Sequence, residues 1–277
     1  MLPTGYSYSL TVNRIDHSGA WLEADDQELL LPRLEFPAGL TSGQKVEVFI
    51  FLDRDGKQKA TTRKPVAEVD EFAFLQVRSI GPHGTFMDWG LEKDLLCPFS
   101  EQPQRMLEGR RYLVRICHDQ QGRPIASARL DRFVEKENQD LREGDEVTLL
   151  LWAFTDLGLK VIVNNRYEAL LYKDEIDQSL KRGQTRTGYV LRIRDDRRID
   201  ISLRRPGAAG VDDARQVILN ALQPSGYLPL HDQSDPVNIR NSLGLSKKVF
   251  KKAVGGLYKE GLIELTETGI KLKSVDK

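Results

Sequence analysis

Through the first three quarters of the chain, apolar and polar residues alternate in short runs bounded by Gly, Asp and Asn, the period-2 signature of β-strands. The runs repeat. "VNRIDHSGAWL" (Val12 to Leu22), "VRSIGPHGTFM" (Val77 to Met87) and "LWAFTDLGLKV" (Leu151 to Val161) align. Each places an apolar residue seven before a glycine: Val12 and Gly19, Val77 and Gly84, Leu151 and Gly158. A short apolar strand follows each, "ELLLP", "DLLCP" and "ALLYK". A glycine then opens a further strand at Gly43, Gly109 and Gly183, and "KATTRK", "PIASARL" and "RIDISLR" close the units. "DRDGK", "DQQGR" and "RDDRR" read as hairpin connections. Five strands in about 60 to 65 residues predict a small closed barrel, which leaves no exposed sheet edge.

Beyond "RRPGAAG" (Arg204 to Gly210) the period changes to that of helices. "VDDARQVILNALQ" spaces Ala214, Val217, Ile218, Ala221 and Leu222 helically, with Asp212 as the expected N-cap. "SDPVNIRNSLG" sets Asp235 as cap, Pro236 at the first helical position and Gly244 as stop. Ser246 caps a third helix, "KKVFKKAVGGLYK". On that helix Val249, Phe250, Ala253, Val254 and Leu257 cover one arc, and Lys247, Lys248, Lys251, Lys252 and Lys259 the opposite one. Gly255 and Gly256 each cost about 1 kcal/mol relative to alanine inside a helix. They point to close approach by a neighbouring segment or a ligand backbone. "LIELTETGIKL" reads as two strands around a turn, so the order is that of a winged helix.

"SGAWL", "HGTFM" and "LGLKV" resemble the "fGafV" turn of the S1 domain, an OB-fold RNA-binding barrel. "EALLYKDEI" (Glu168 to Ile176) is similar to that family's "eGlvhiSei", and "RIDISLRR" to its closing strand. Three such matches stand in register at intervals of 65 and 74 residues. The expected fold is therefore multidomain and mainly β, with three tandem S1-like OB-fold β-barrels and a C-terminal α+β winged-helix domain. The barrels are expected at residues 1–65, 66–132 and 140–206 and the winged helix at 211–277, with the spacer Phe133 to Asp145 linking the second barrel to the third. This order resembles the conserved virulence factor B family of bacterial S1-domain proteins along essentially the whole chain. "GYVLRIRDDRRIDISLRRPG" and "LSKKVFKKAVGGLYKEGLI" carry the likeness most clearly. The resemblance implies RNA binding with regulatory effects on gene expression and no catalytic chemistry.

Composition narrows the classes. The 277 residues are 40% hydrophobic and 30% charged, as in a soluble globular protein. No apolar run approaches the roughly 18 residues of a membrane span, and "MLPTGYSYSLTVNRID" lacks the pattern of a signal peptide. A cytoplasmic protein is expected. Cys97 and Cys117 are too far apart for a CxxC motif and read as reduced thiols packed as small hydrophobes. No metal or cofactor is expected. A nuclease would need clustered carboxylates or paired histidines, whereas His17, His83, His118 and His231 are isolated in sequence.

Charge locates the expected site. The chain holds 41 basic and 41 acidic side chains, so any nucleic-acid surface has to be local. Residues 1–64 and 65–134 each carry net −1, residues 135–209 net 0 and residues 210–277 net +2. Within the third segment, residues 181–205 carry net +6. Phosphate affinity follows cation count, so the third barrel and the winged helix are the expected surface for single-stranded RNA. Candidate cations are Arg192, Arg194, Arg197, Lys247, Lys248, Lys251 and Lys252. The S1 resemblance places its base-stacking aromatic at Trp21 and Phe86, and at Lys160 in the third barrel. It places the family's histidine at Pro32, Pro98 and Tyr172. Trp152, alternating with Leu151 and Ala153, is a further outward candidate. Arg14, Arg33 and Arg54 in the first barrel are expected to matter less. Two other readings remain at this point: a DNA-binding regulator with the third helix in the major groove, and a ribosome- or polymerase-associated protein whose first two barrels dock other RNA-associated proteins. The sequence carries no signal for oligomeric state.

Overall fold

Gly19, Gly84 and Gly158 hold equivalent places in three five-stranded barrels of the computed structural model, which describes residues 1–53, 55–176 and 179–273; Arg54 lies outside the described residues. The first barrel comprises β1 (Ser7–Ile15), β2 (Gly19–Ala24), β3 (Gln27–Pro32), β4 (Lys45–Leu52) and β5 (Gln58–Thr61). The second comprises β6 (Phe72–Ile80), β7 (Gly84–Met87), β8 (Leu95–Pro98), β9 (Arg111–His118) and β10 (Pro124–Ser127). The third comprises β11 (Glu146–Phe154), β12 (Gly158–Val163), β13 (Tyr167–Tyr172), β14 (Thr185–Ile193) and β15 (Ile199–Ser202). In all three the first strand pairs with the second and the fourth, the second with the third, and the fourth with the fifth. The third barrel closes through a parallel ladder between β13 and β15. β3 lies beside β5, and β8 beside β10, in the corresponding places of the other two.

Two backbone devices recur. At Gly19, Gly84 and Gly158 a Cβ would collide with the carbonyl oxygens of Leu31, Cys97 and Leu171 on the next strand, so only glycine fits. One residue is also extra in each first strand: the register jumps between Val12 and Arg14, Val77 and Ser79, and Leu151 and Ala153. Such a bulge sharpens strand twist and helps a short sheet to close. Each bulge is anchored by a turn glycine. Gly43, Gly109 and Gly183 have φ of 87°, 76° and 79°. Their N–H groups donate to the carbonyls of Val12, Val77 and Leu151 at 2.8, 2.9 and 2.8 Å.

The barrels are packed on one another. Phe49 of β4 joins the second barrel's core and meets Trp89 edge-on at 5.4 Å. The Tyr6 hydroxyl donates to Asp70 at 2.7 Å, and burial together with that carboxylate pushes its pKa up to about 12. Asn165 bridges barrels two and three: its amide donates to the Asp70 carbonyl at 2.8 Å and accepts from the Phe72 N–H at 3.1 Å. Phe72, Leu113, Leu130, Val134 and Ile162 fill the seam around it. The segment expected as a spacer is a strap on the third barrel. Glu135 pairs with Tyr167 in an isolated parallel bridge, and the Asn138 N–H donates to the Arg197 carbonyl at 2.8 Å. Cys97 and Cys117 are free, and burial pushes their thiols up to about 12 and about 11.

The C-terminal region is a winged helix built from α1 (Gly207–Leu222), β16 (Tyr227–Leu228), α2 (Pro236–Leu243), α3 (Lys247–Lys259), β17 (Ile263–Leu265) and β18 (Ile270–Leu272), with sheet order β16-β18-β17. Phe250, Ala253, Val254 and Leu257 of α3 pack on Ala214, Ile218 and Leu222 of α1 and on Ile239, Ile263 and Ile270. Asp235 and Ser246 cap as expected, accepting from Val237 N at 2.7 Å and Val249 N at 3.4 Å. Asp212 does not cap. α1 begins six residues earlier, at Gly207 behind Pro206, and in its first turn Gly210 lies against the Arg205 carbonyl where a side chain would collide. Arg205 joins this region to barrel three, with its guanidinium 3.2 Å from Glu146 and 5.4 Å over the Tyr189 ring.

Replacing Gly158 with alanine is expected to cost the third barrel about 1–3 kcal/mol, the usual range for overpacking. Hydrogen exchange should then show lost protection in β12 and β13 while β1 to β3 keep theirs.

Candidate nucleic-acid interface

Ile199 and Ile201 point into the third barrel, so alternation turns Asp200 outward, yet it is only 6% exposed. Arg194 and Tyr172 cover it. Arg194 Nε donates to Asp200 Oδ1 at 2.8 Å, and an Arg194 terminal nitrogen donates to the Tyr172 hydroxyl at 2.8 Å. Asp200 thereby orients a cation and an aromatic ring side by side, with the guanidinium 6.0 Å from the ring centroid. Its hydrogen bond also raises the Arg194 pKa above the ordinary arginine value. Tyr172, Arg192 and Arg194 line one open depression of about 480 Å³. Arg192 has no ion pair among the described residues. Arg194 also borders a second hollow of about 160 Å³, together with Lys136, Lys160 and Arg198. Lys136 and Arg198 complete this face but were not candidates from sequence. Asp200 entered there only as a negative charge, although its place between two inward isoleucines is the signal that could have marked it.

Three candidates sit differently from expectation. Arg197 has φ of 61°, and its Nε donates to the Asn138 carbonyl at 2.8 Å; it pins the strap and turns away from the depression. Lys160 is neutralised, with Nζ 3.1 Å from Glu168 and 3.7 Å from Asp131 of the second barrel. Trp152 is the bulge residue of β11. It does point out of its own barrel, but into the seam with barrel two, packing on the Leu113 and Ile162 cluster with Lys160 Nζ 4.5 Å from its ring centroid. The net +6 of residues 181–205, which already counts Asp195, Asp196 and Asp200, is not concentrated in this depression, because all three aspartates line it with Arg192 and Arg194.

The platforms of the first two barrels are partly occupied. Trp21 Nε1 donates to Asp16 at 2.7 Å, and the Arg14 guanidinium stacks over the ring at 4.5 Å while pairing with Glu28 at 3.0 Å. The Trp21 hydrogen bond leads the causes that hold Asp16 below the usual carboxylate range. Phe86 is half-buried and lies over Gly81, where any side chain would press on the ring. His83 is a turn residue whose carbonyl accepts from Phe99 N at 3.2 Å.

On α3, Lys248, Lys251 and Lys252 are exposed and Lys247 is half-buried. Lys251 approaches Asp232 at 3.9 Å, and the other three have no ion pair among the described residues. The two glycines part company. Gly256 faces Arg215 of α1, which is bonded across the helix pair to Glu260, whereas a Cβ on Gly255 would meet nothing within 4 Å. Bare helix backbone is thus open to solvent beside the lysines. Among the described residues no group of three or more His, Cys, Asp or Glu could hold a metal ion, and no helix is long and apolar enough to cross a membrane.

Residues 216–272 match the CvfB-like winged helix domain and residues 4–63 the S1 domain. Conserved virulence factor B of Staphylococcus haemolyticus is 26% identical over 239 residues, covering 83% of this chain and 80% of that one. The chain is similar to the conserved virulence factor B family over most of its length. Its general class is that of an RNA-binding protein built from S1/OB and winged-helix domains. The uncharacterized protein YitL of Bacillus subtilis is 26% identical over 272 residues, which is 94% of this chain and 90% of YitL. A crystal structure of a multidomain protein with nucleic acid binding domains from Streptococcus pneumoniae is 23% identical, with 98% of both chains covered and a TM-score of 0.43.

Since nothing crowds Gly255, Gly255→Ala is expected to raise winged-helix stability by about 0.5–1 kcal/mol, read as a higher thermal midpoint of the full chain.

Proposed function

We propose that this protein binds single-stranded RNA through the Tyr172–Arg194 face of barrel three and the lysine face of α3, and that it acts in post-transcriptional regulation of gene expression. The observation that carries the reading is the pairing of Tyr172 and Arg194 by the buried Asp200 carboxylate. An exposed ring beside a fixed guanidinium suits a splayed base and its phosphate, and each stacked base contributes about 1–3 kcal/mol. Such a pair is already ordered before RNA arrives, so little entropy is lost on binding. The lysines of α3 add sequence-independent attraction for phosphates, which salt weakens. An OB-type barrel with an open aromatic depression favours an unpaired strand over a duplex.

The test compares Arg192→Ala/Arg194→Ala and the quadruple Lys247, Lys248, Lys251, Lys252→Ala variant with the unmodified chain. A labelled single-stranded RNA is titrated across salt concentrations. Both variants should weaken binding, and the salt slope should fall by about 0.7 per lost phosphate contact. Arg197 is left intact because it anchors the strap. Arg14→Ala/Arg33→Ala should change affinity little, since Arg14 is already paired with Glu28. Unaltered affinity and slope in both test variants would sink the assignment, and tighter binding of duplex DNA of equal length would favour the recognition-helix reading.

A further inference from the structure

We propose that the cleft between barrels two and three is a second contact for single-stranded RNA, holding bases against aromatic walls and their phosphates against three arginines. The proposal rests on the RNA-binding reading above and extends it to a surface outside the Tyr172 face.

The cleft has a volume of about 680 Å³, within the roughly 300–1,000 Å³ range of ligand-sized sites. Phe74 and Tyr112 of the second barrel and Trp152 of the third line it, together with Arg110, Arg111 and Arg182. No Asp or Glu is among its lining residues. The three arginines are exposed, and none forms an ion pair among the described residues. They differ in this from Arg14, Arg78, Arg166, Arg194, Arg205 and Arg215, which all meet carboxylates. Unpaired cations converging on aromatic walls form a surface complementary to a flexible polyanion with π-faces.

The repeat itself builds this surface. Arg110 and Arg111 follow Gly109, and Arg182 precedes Gly183; these are equivalent turns of two successive barrels. Each turn is held by its glycine N–H on a bulge carbonyl, of Val77 in one case and Leu151 in the other. Gly183 lies directly on the Phe74 ring, where a Cβ would collide, so the turn carrying Arg182 is pressed onto barrel two. The Tyr112 hydroxyl accepts from Leu107 N at 3.0 Å, which fixes the ring as a wall. The Asn165 bridge and the apolar seam hold the two sides together. Trp152 also joins the cleft to the barrel-three face, because Lys160 beside it borders the hollow that Arg194 shares.

The experiment uses the full chain and a fluorescent 20-nucleotide oligouridine carrying 4-thiouridine, in anisotropy titrations over a salt series and in photocrosslinking mapped by mass spectrometry. Arg110→Ala/Arg111→Ala/Arg182→Ala should lose about tenfold or more in affinity at low salt, with a slope reduced by about 2 for three lost phosphate contacts. Crosslinks should fall on Phe74, Tyr112 or Trp152. The corresponding triple lysine variant should keep the slope of the unmodified chain; a slope as shallow as that of the alanine variant would overturn the proposal. If the alanine variant binds like the unmodified chain while Arg192→Ala/Arg194→Ala weakens binding, the cleft proposal fails and the barrel-three reading stands. If the unmodified chain binds no RNA, both fail. Protection of the cleft by a polyglutamate peptide but not by the oligouridine would assign it to an acidic protein partner and overturn the proposal.

Discussion

In each barrel the second strand enters by laying a glycine against the backbone carbonyl of the third, closer than any side chain would permit. Everything else about the barrel is tuned to that approach. The bulge in the preceding strand sharpens the twist, and a left-handed glycine turn caps the bulge carbonyl. Two residues beyond the approach glycine, the second strand presents Trp21, Phe86 or Lys160 outward. The same contact therefore closes the sheet and sets the height of the residue on the binding face. Three copies of one backbone solution carry three different surfaces.

The joints between copies turn those surfaces into composite ones. Asp70 has φ of 68° and sits where the barrels meet. Its carboxylate takes the Tyr6 hydroxyl and approaches Arg115, while its carbonyl takes the Asn165 amide. Phe49 of β4 places its side chain in the neighbouring core. Such shared packing costs no extra chain and gives the array relative positions that a flexible linker would not hold. It also withdraws Trp152 and Lys160 from free solution and converts them into the edge of an interbarrel cleft.

Electrostatics then separates scaffold from site. Many arginines of this neutral chain are matched with carboxylates, and exposed pairs of that kind contribute little stability. Their effect here is to silence charge over much of the surface. Among the cations without an ion pair in the described residues are Arg192 beside the oriented Tyr172 and Arg194, Lys247, Lys248 and Lys252 of α3, and the three arginines of the cleft. Gly255 leaves helix backbone uncovered next to those lysines, while Gly256 serves the packing of α1 on α3 through Arg215. The tandem glycines thus answer two different demands at adjacent positions.

The chain's local and periodic properties were legible without coordinates. The threefold strand pattern, the approach and turn glycines, the caps at Asp235 and Ser246 and the two-faced third helix all follow from short-range sterics and hydrogen bonding, which depend on near neighbours in sequence. The N-terminus of α1 lies six residues before the one Asp212 would cap, in a first turn where Gly210 meets the Arg205 carbonyl, a contact that local capping preference does not report. Charge pairing was not legible at all. Arg197 on Asn138, Lys160 on Asp131 and Glu168, and Asp200 beneath Arg194 and Tyr172 join residues from 6 to 59 positions apart. Sequence alone determined that there are three barrels and a winged helix. Tertiary structure decided which cations remain available, because a charge is silenced only by a partner that folding brings within reach.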